Sequence, residues 1–290
     1  MVAFDYKRGT TTYLYSINVL ITIVGAATVL ARGKFEDPRP NFAFWDTTES
    51  ISIGFRDTQV PGDRGYQYKT LMWTLRFAAC WLQDHEWKEI TWQGKFVDQP
   101  IVGYGALVQR IIGVDQKNLT AIKDSEDGEE GASFFALEAD AGDKGGLEDA
   151  EVTTDKYAVN PLSATYQPFD VYALMINILI NLAPKAPDAF STGFHAYYPE
   201  GDLSLALTAT SKAAAPNFQN KYIITSLADV ASKLPRFVQT ELSWKEVKWL
   251  IRLNGAIIGR GLVVRGQIPP GKLDAMVQEG DSADTFVENM

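Results

Sequence analysis

The chain has 290 residues, 46% apolar and 22% charged, the balance of a globular protein and not of a disordered, collagen-like or disulfide-stapled one. Its single cysteine, Cys80, cannot close an internal bridge, and within RFAACWL it reads as a small buried hydrophobe. The net charge of −9 is local, because residues 115–156 hold thirteen Asp/Glu against four Lys and leave the rest neutral, a poor start for gripping phosphates.

In chain order, the first signal is the uncharged run YLYSINVLITIVGAATVLA (13–31). It has the length of a membrane span, but a related apolar run near residue 175 carries Asp170 and ends at Lys185. The shared pattern predicts a buried helix in both places, with no membrane span and no cleaved secretion signal. FAFWDTTESISI (42–53) follows as two alternating segments around a turn. Tyr68, Leu71, Met72, Leu75 and Leu82 then keep helical spacing. WKEITWQGKF and IVGYGALVQR read as a strand pair turned at VDQP, with Ile90, Trp92 and Phe96 alternating against Glu89, Thr91, Gln93 and Lys95. The acidic stretch comes next, interrupted by one apolar island, SFFALEA (133–139).

The same phrases then return. INILI (176–180) answers INVLI (17–21), FHAYYPEGDLSL (194–205) answers FAFWDTTESISI, and WKEVKW (244–249) answers WKEITW (87–92). Four of the seven tryptophans, Trp87, Trp92, Trp244 and Trp249, sit in that last pair. Each WKE phrase leads to a Gly-x-Gly run, Gly103/Gly105 and Gly259/Gly261. Asn254-Gly255 supplies a two-residue hairpin turn in the second copy, and Pro235 should stop the preceding helix near Leu234. The order and spacing predict an α+β protein with an internally duplicated αββαββ unit. Each copy is an antiparallel sheet with helices on one face, a circular permutation, in topology only, of the ferredoxin-like sandwich. The expected divisions are a first copy over 1–112, an acidic linker or arm over 113–165, a second copy over 166–266 and a C-terminal tail over 267–290.

Site chemistry is sparse in the sequence. Asp84, His85 and Glu86 are consecutive at a helix end and point apart, while His195 has no ligand-like residue at useful spacing, so neither a catalytic nor a metal site is expected and no cofactor is implied. The Gly-x-Gly pairs lie within strands instead of opening a helix, which argues against phosphate binding and for close approach of a neighbour. A small-molecule site between the two halves, an alternative reading, would draw on His85, His195, Arg56 and Asp57. A second alternative is single-strand nucleic-acid binding through Lys245, Lys248, Arg252, Arg260 and Arg265.

Hydrophobic surplus points elsewhere. The first helix is apolar on nearly every side, and Trp73, Phe77 and Trp81 exceed the stripe that one sheet would cover. Those three, with Phe134 and Phe135 of the acidic arm, are the expected contact residues, between halves or between identical subunits. The sequence therefore favours a non-enzymatic, self-assembling structural protein, a shell, filament or ring subunit, working as a homo-oligomer inside the cell.

Overall fold

A computed structural model describes residues 2–38, 41–46, 51–57, 67–96, 101–109, 151–160, 162–210, 217–238 and 244–269. The chain divides into two compact units, 1–146 and 147–290. Unit 1 runs β1 (Val2–Tyr13), α1 (Ser16–Ala31), β2 (Asn41–Asp46), β3 (Ile51–Asp57), α2 (Tyr68–His85), β4 (Lys88–Phe96) and β5 (Ile101–Gln109). Unit 2 repeats the order with β6 (Val152–Val159), α3 (Pro168–Leu182), β7 (Gly193–Tyr198), β8 (Leu203–Ala209), α4 (Asn220–Val238), β9 (Val247–Leu253) and β10 (Ala256–Arg265).

Both sheets are antiparallel and five-stranded, ordered β1-β4-β5-β3-β2 and β6-β9-β10-β8-β7. The duplicated α+β architecture is thus present, and each αββαββ set gains a leading strand on the edge beside β4 or β9. In unit 2 that strand, β6, lies within the stretch expected to be acidic linker. Thr154, which is buried, and Tyr157, which stacks on Trp249, belong to this strand, and the acidic composition just before them conceals it.

The repeated WKE phrase has a mechanical explanation. The carbonyl of Trp87 accepts the amide of Leu14 at 2.7 Å, and that of Trp244 accepts Tyr166 at 2.9 Å, fixing the chain where it turns into the first helix of each unit. Oε1 of Glu89 accepts the amide of Gln109 at 2.9 Å, and Oε1 of Glu246 that of Arg265 at 3.0 Å, closing the end of each hairpin. The following tryptophans, Trp92 and Trp249, are buried and pair across the ladder with Gly105 and Gly261. A Cβ on either glycine would fall 2.2 or 2.1 Å from the indole ring, and one on Gly259 would fall 2.3 Å from Phe218. The glycines make room for aromatic rings, the use expected of a strand glycine beside a close neighbour.

Three local expectations change. The equivalent residues Leu14/Tyr166 and Gln67/Gln219 place α1 and α3 in a register that matches Ile17 to Phe169. INVLI and INILI are therefore offset by two helical turns, a shift that leaves a helix apolar on all sides looking the same. Secondly, α4 continues through Pro235 to Val238. A proline lacks the N–H that would reach the carbonyl of Ala231, and the hydroxyl of Tyr172 donates to that carbonyl instead, at 2.9 Å. Thirdly, α1 needs no second subunit to cover it. Val19, Ile23, Val24, Ala26, Ala27 and Leu30 are all fully buried within one chain, with α2, β2 and β3 packed against the helix. Asn254 and Gly255 have φ of 49° and 80°, as the two-residue turn requires. No helix among the described residues is long and apolar enough to cross a membrane.

Candidate functional site

α2 packs against α1 and β1, and its residues Leu71, Met72, Leu75, Ala78, Ala79 and Leu82 are buried. Helical spacing sends Trp73 and Phe77 to the outer side. On that outer face Trp73 is 37% and Phe77 44% exposed, one turn apart, with ring centroids 6.0 Å apart and planes at 29°. The guanidinium of Arg76 stands 5.3 Å from the Trp73 centroid, a contact worth about 0.5–1 kcal/mol at the surface. The stripe continues into Trp81, half-buried, which stacks on His85 at 4.1 Å and 7° and on Tyr6 of β1 at 5.9 Å. Nδ1 of His85 lies 2.8 Å from the carbonyl of Trp81. That nitrogen must carry the proton, because a carbonyl only accepts.

The equivalent face of α4 has different chemistry. Counting from Gln67 and Gln219, which hold the same isolated bridge in each unit, Trp73, Phe77 and Trp81 correspond to Thr225, Asp229 and Lys233. Oδ2 of Asp229 accepts the amide of Thr154 at 2.7 Å, the hydroxyl of Thr154 at 2.6 Å and Nζ of Lys233 at 2.7 Å. Lys233 also donates to the carbonyl of Thr154 at 2.9 Å. Since the Thr154 proton goes to Asp229, the Tyr157 hydroxyl 2.6 Å away is the donor between them. Burial raises the pKa of Tyr157 above that of an ordinary phenol. These bonds tie β6 to α4, and the matching positions of unit 1 present rings.

The structure does not assemble the other candidates into one site. His85 ends α2 just before β4, whereas Arg56 and Asp57 lie beside Tyr104 and Gly103, next to the far end of β4. His195 is in unit 2, with Nε2 3.2 Å from Oγ of Ser204. Ser204 gives its proton to the carbonyl of Gly266 at 2.6 Å, so His195 is the donor. Burial lowers its pKa. The basic residues are likewise divided. Lys248, Arg252 and Arg260 share one face of sheet 2, where Nε of Arg252 pairs with Asp155 at 2.6 Å and Arg260 is 4% exposed. Lys245 precedes β9, and Arg265 falls on the Trp249 face and donates to the carbonyl of Thr165. Phe134 and Phe135 lie outside the described residues. Among the described residues no cluster of His, Cys, Asp and Glu could hold a metal ion.

Arg76 and Tyr6 escaped the sequence reading. Arg76 could have been found three residues beyond Trp73 on the same helix. Tyr6 could not, because the leading strand carried no pattern that distinguished it.

No protein-family model matches the chain, and no curated protein sequence matches it. Among solved structures, the tandem DUF26 ectodomain of the cysteine-rich receptor-like protein PDLP8 from Arabidopsis thaliana is similar at 8% identity and a TM-score of 0.25, over 92% of this chain and 98% of that one. The corresponding ectodomain of PDLP5 from the same plant gives 9%, 0.22 and the same coverage. Both are described as ectodomains of receptor-like proteins, not as shell, filament or ring subunits or as intracellular proteins. The expectations of a self-assembling structural protein and of an intracellular location are accordingly withdrawn. At these scores the likeness carries nothing further to this chain, which unlike a cysteine-rich protein has one cysteine.

Proposed function

We propose that the chain is a protein-interaction module whose recognition surface is the outer face of α2. The observation that carries this reading is the exposed, mutually stacked pair Trp73 and Phe77, with Arg76 over the indole, on a helix already anchored through its opposite side. Trp, other aromatics and Arg are the residue types that dominate binding energy at protein contacts. Here they are held by ring-on-ring and cation–ring packing, so little side-chain freedom remains to be lost on binding. Trp81, Tyr6 and His85 extend the surface as a second stack, in which Trp81 and Tyr6 are half-buried and His85 is exposed.

The test uses the second unit as a guide to harmless substitution. A random peptide library is panned against the full chain, and each selected peptide is then measured against Trp73→Thr/Phe77→Asp, the residues present on α4. The reading expects selected peptides to lose about tenfold or more in affinity, the scale of one hot-spot contact. Peptides that bind both proteins equally, or a library that yields no binder, would overturn it.

A further inference from the structure

The turn between β9 and β10 joins a reactive dipeptide to a strand-holding role. Of the ten asparagines in the chain, Asn254 alone is followed by glycine, and the other nine precede Val, Phe, Leu, Pro, Ile, Lys or Met. Asn254 and Gly255 are both exposed, and a Cβ on Gly255 would meet nothing within 4 Å. The same turn holds the start of the edge strand. Asn254 donates its amide to the carbonyl of Glu151 at 2.9 Å, and its side-chain Oδ1 accepts the amide of Glu151 at 2.9 Å. We propose that Asn254 is a site of spontaneous deamidation in the folded protein, and that its conversion to isoaspartate releases the beginning of β6 from the β9–β10 hairpin. The inference is independent of the reading of α2.

The chemistry needs only water. The amide nitrogen of Gly255 loses its proton and attacks Cγ of Asn254, closing a cyclic imide. The bond from Cγ to the side-chain nitrogen breaks, and that nitrogen takes up a proton and leaves as ammonia. Water then opens the ring. Addition at Cγ gives a normal aspartate, whereas addition at the former peptide carbonyl leaves Gly255 joined through Cγ, which is isoaspartate with an extra methylene in the backbone. The sum is amide and water giving carboxylate and ammonium, with no change of oxidation state. Glycine hinders the attack least and has the backbone freedom to reach the ring geometry. The Glu151 amide, by donating to Oδ1, draws electrons from Cγ and makes it a better target.

The consequence follows from what the turn holds. Besides the two Asn254–Glu151 bonds, Arg252 links the strands, with Nε on Asp155 at 2.6 Å and Nη1 on the carbonyl of Gly255 at 2.9 Å. An added methylene between Leu253 and Ala256 displaces both attachments, and the new carboxylate adds negative charge at the residue bonded to Glu151. Loosening should stop at Thr154, which Asp229 holds separately. The corresponding turn of unit 1 is written Val97-Asp98-Gln99-Pro100, so this lability belongs to the second unit.

Ageing the full chain in mildly alkaline buffer, followed by peptide mapping, tests this. In the folded protein Asn254 should convert before any other asparagine. It should give two products of equal mass, of which an endoprotease specific for Asp cuts only the aspartate. In the isoaspartate fraction, backbone amides over 151–153 should exchange hydrogen about fivefold faster, the loss of one net hydrogen bond, while Thr154 keeps its protection. Asn254→Asp, which carries the charge on a normal backbone, should exchange as fresh wild type does. An Asn254 that survives ageing when folded but converts in urea is protected by its turn, and the proposal is then overturned. Conversion spread equally over other asparagines, or conversion that leaves exchange over 151–153 unchanged, would overturn it too. Equal loosening in Asn254→Asp would assign the effect to charge and overturn the role given to the lengthened backbone.

Discussion

The outer faces of α2 and α4 occupy the same place in two units built on one plan, and they carry opposite chemistry. On α4, Asp229 and Lys233 are spent on the neighbouring strand, holding the amide, hydroxyl and carbonyl of Thr154. On α2 the equivalent residues are Phe77 and Trp81. The strand is held there by Tyr6, which stacks on Trp81 and donates its hydroxyl to the carbonyl of Thr74 at 3.1 Å. Trp73 and Phe77 remain 37% and 44% exposed. The difference separates residues that a repeat needs in order to fold from residues that one copy has been free to change.

The shared frame should be the most fragile part. Gly105→Val and Gly261→Val each press a side chain into an indole about 2 Å from the new Cβ, and each should cost about 3 kcal/mol or more in urea unfolding. A large loss in one unit and tolerance in the other would break the equivalence of the two frames. Next in size, Asp229→Ala strips the acceptor from the Thr154 amide and hydroxyl and from Lys233. It should cost about 2 kcal/mol, the scale of hydrogen bonds to a charged group. Phe77→Ala at the equivalent place should cost far less, because that ring is 44% exposed.

Trp73→Thr/Phe77→Asp should change unfolding free energy by no more than about 0.5 kcal/mol, as for other surface substitutions. A cooperative loss of the fold in this variant would show that the aromatic face holds unit 1 together. The smallest expected effect is pH-dependent. Burial lowers the folded-state pKa of His195 below its ordinary value of 6.5, so the unfolded chain takes up a proton first as pH falls. The stabilisation is present above about pH 6.5 and is lost as pH drops toward the folded value. Unit 1 has Ala43 at this position, so His195→Ala should flatten the acid side of the melting-temperature profile in unit 2 alone.

Much of the fold was legible because its markers are rare or geometrically demanding. A tryptophan that needs a glycine across the ladder writes both residues twice, and Asn254-Gly255 can hardly be anything other than a tight turn. The leading strands were not legible. β6 carries Thr154, Asp155 and Tyr157 in an acidic context, and its partners on β9 lie about a hundred residues away, beyond any local periodicity. The helix register was illegible for the reverse reason. A helix buried on every side has no face by which to fix its phase. The surplus of aromatics on α2 was visible, but not that Trp81 turns inward to Tyr6 while Trp73 and Phe77 do not. That distinction depends on where β1 lies.

The edge strands also bear on how the second half could be handled alone. A fragment begun at residue 166, where the repeated phrases resume, would lack β6. The backbone of β9 that pairs with Val152–Asp155 and Ala158–Val159 would then be bare along its length. Val247, Trp249 and Ile251 sit on that strand, and an exposed, apolar strand edge is a template for pairing with other chains. Such a fragment should precipitate, whereas one begun near residue 150 keeps its guard strand. Solubility would then depend on a stretch of sequence that composition alone assigns to a linker.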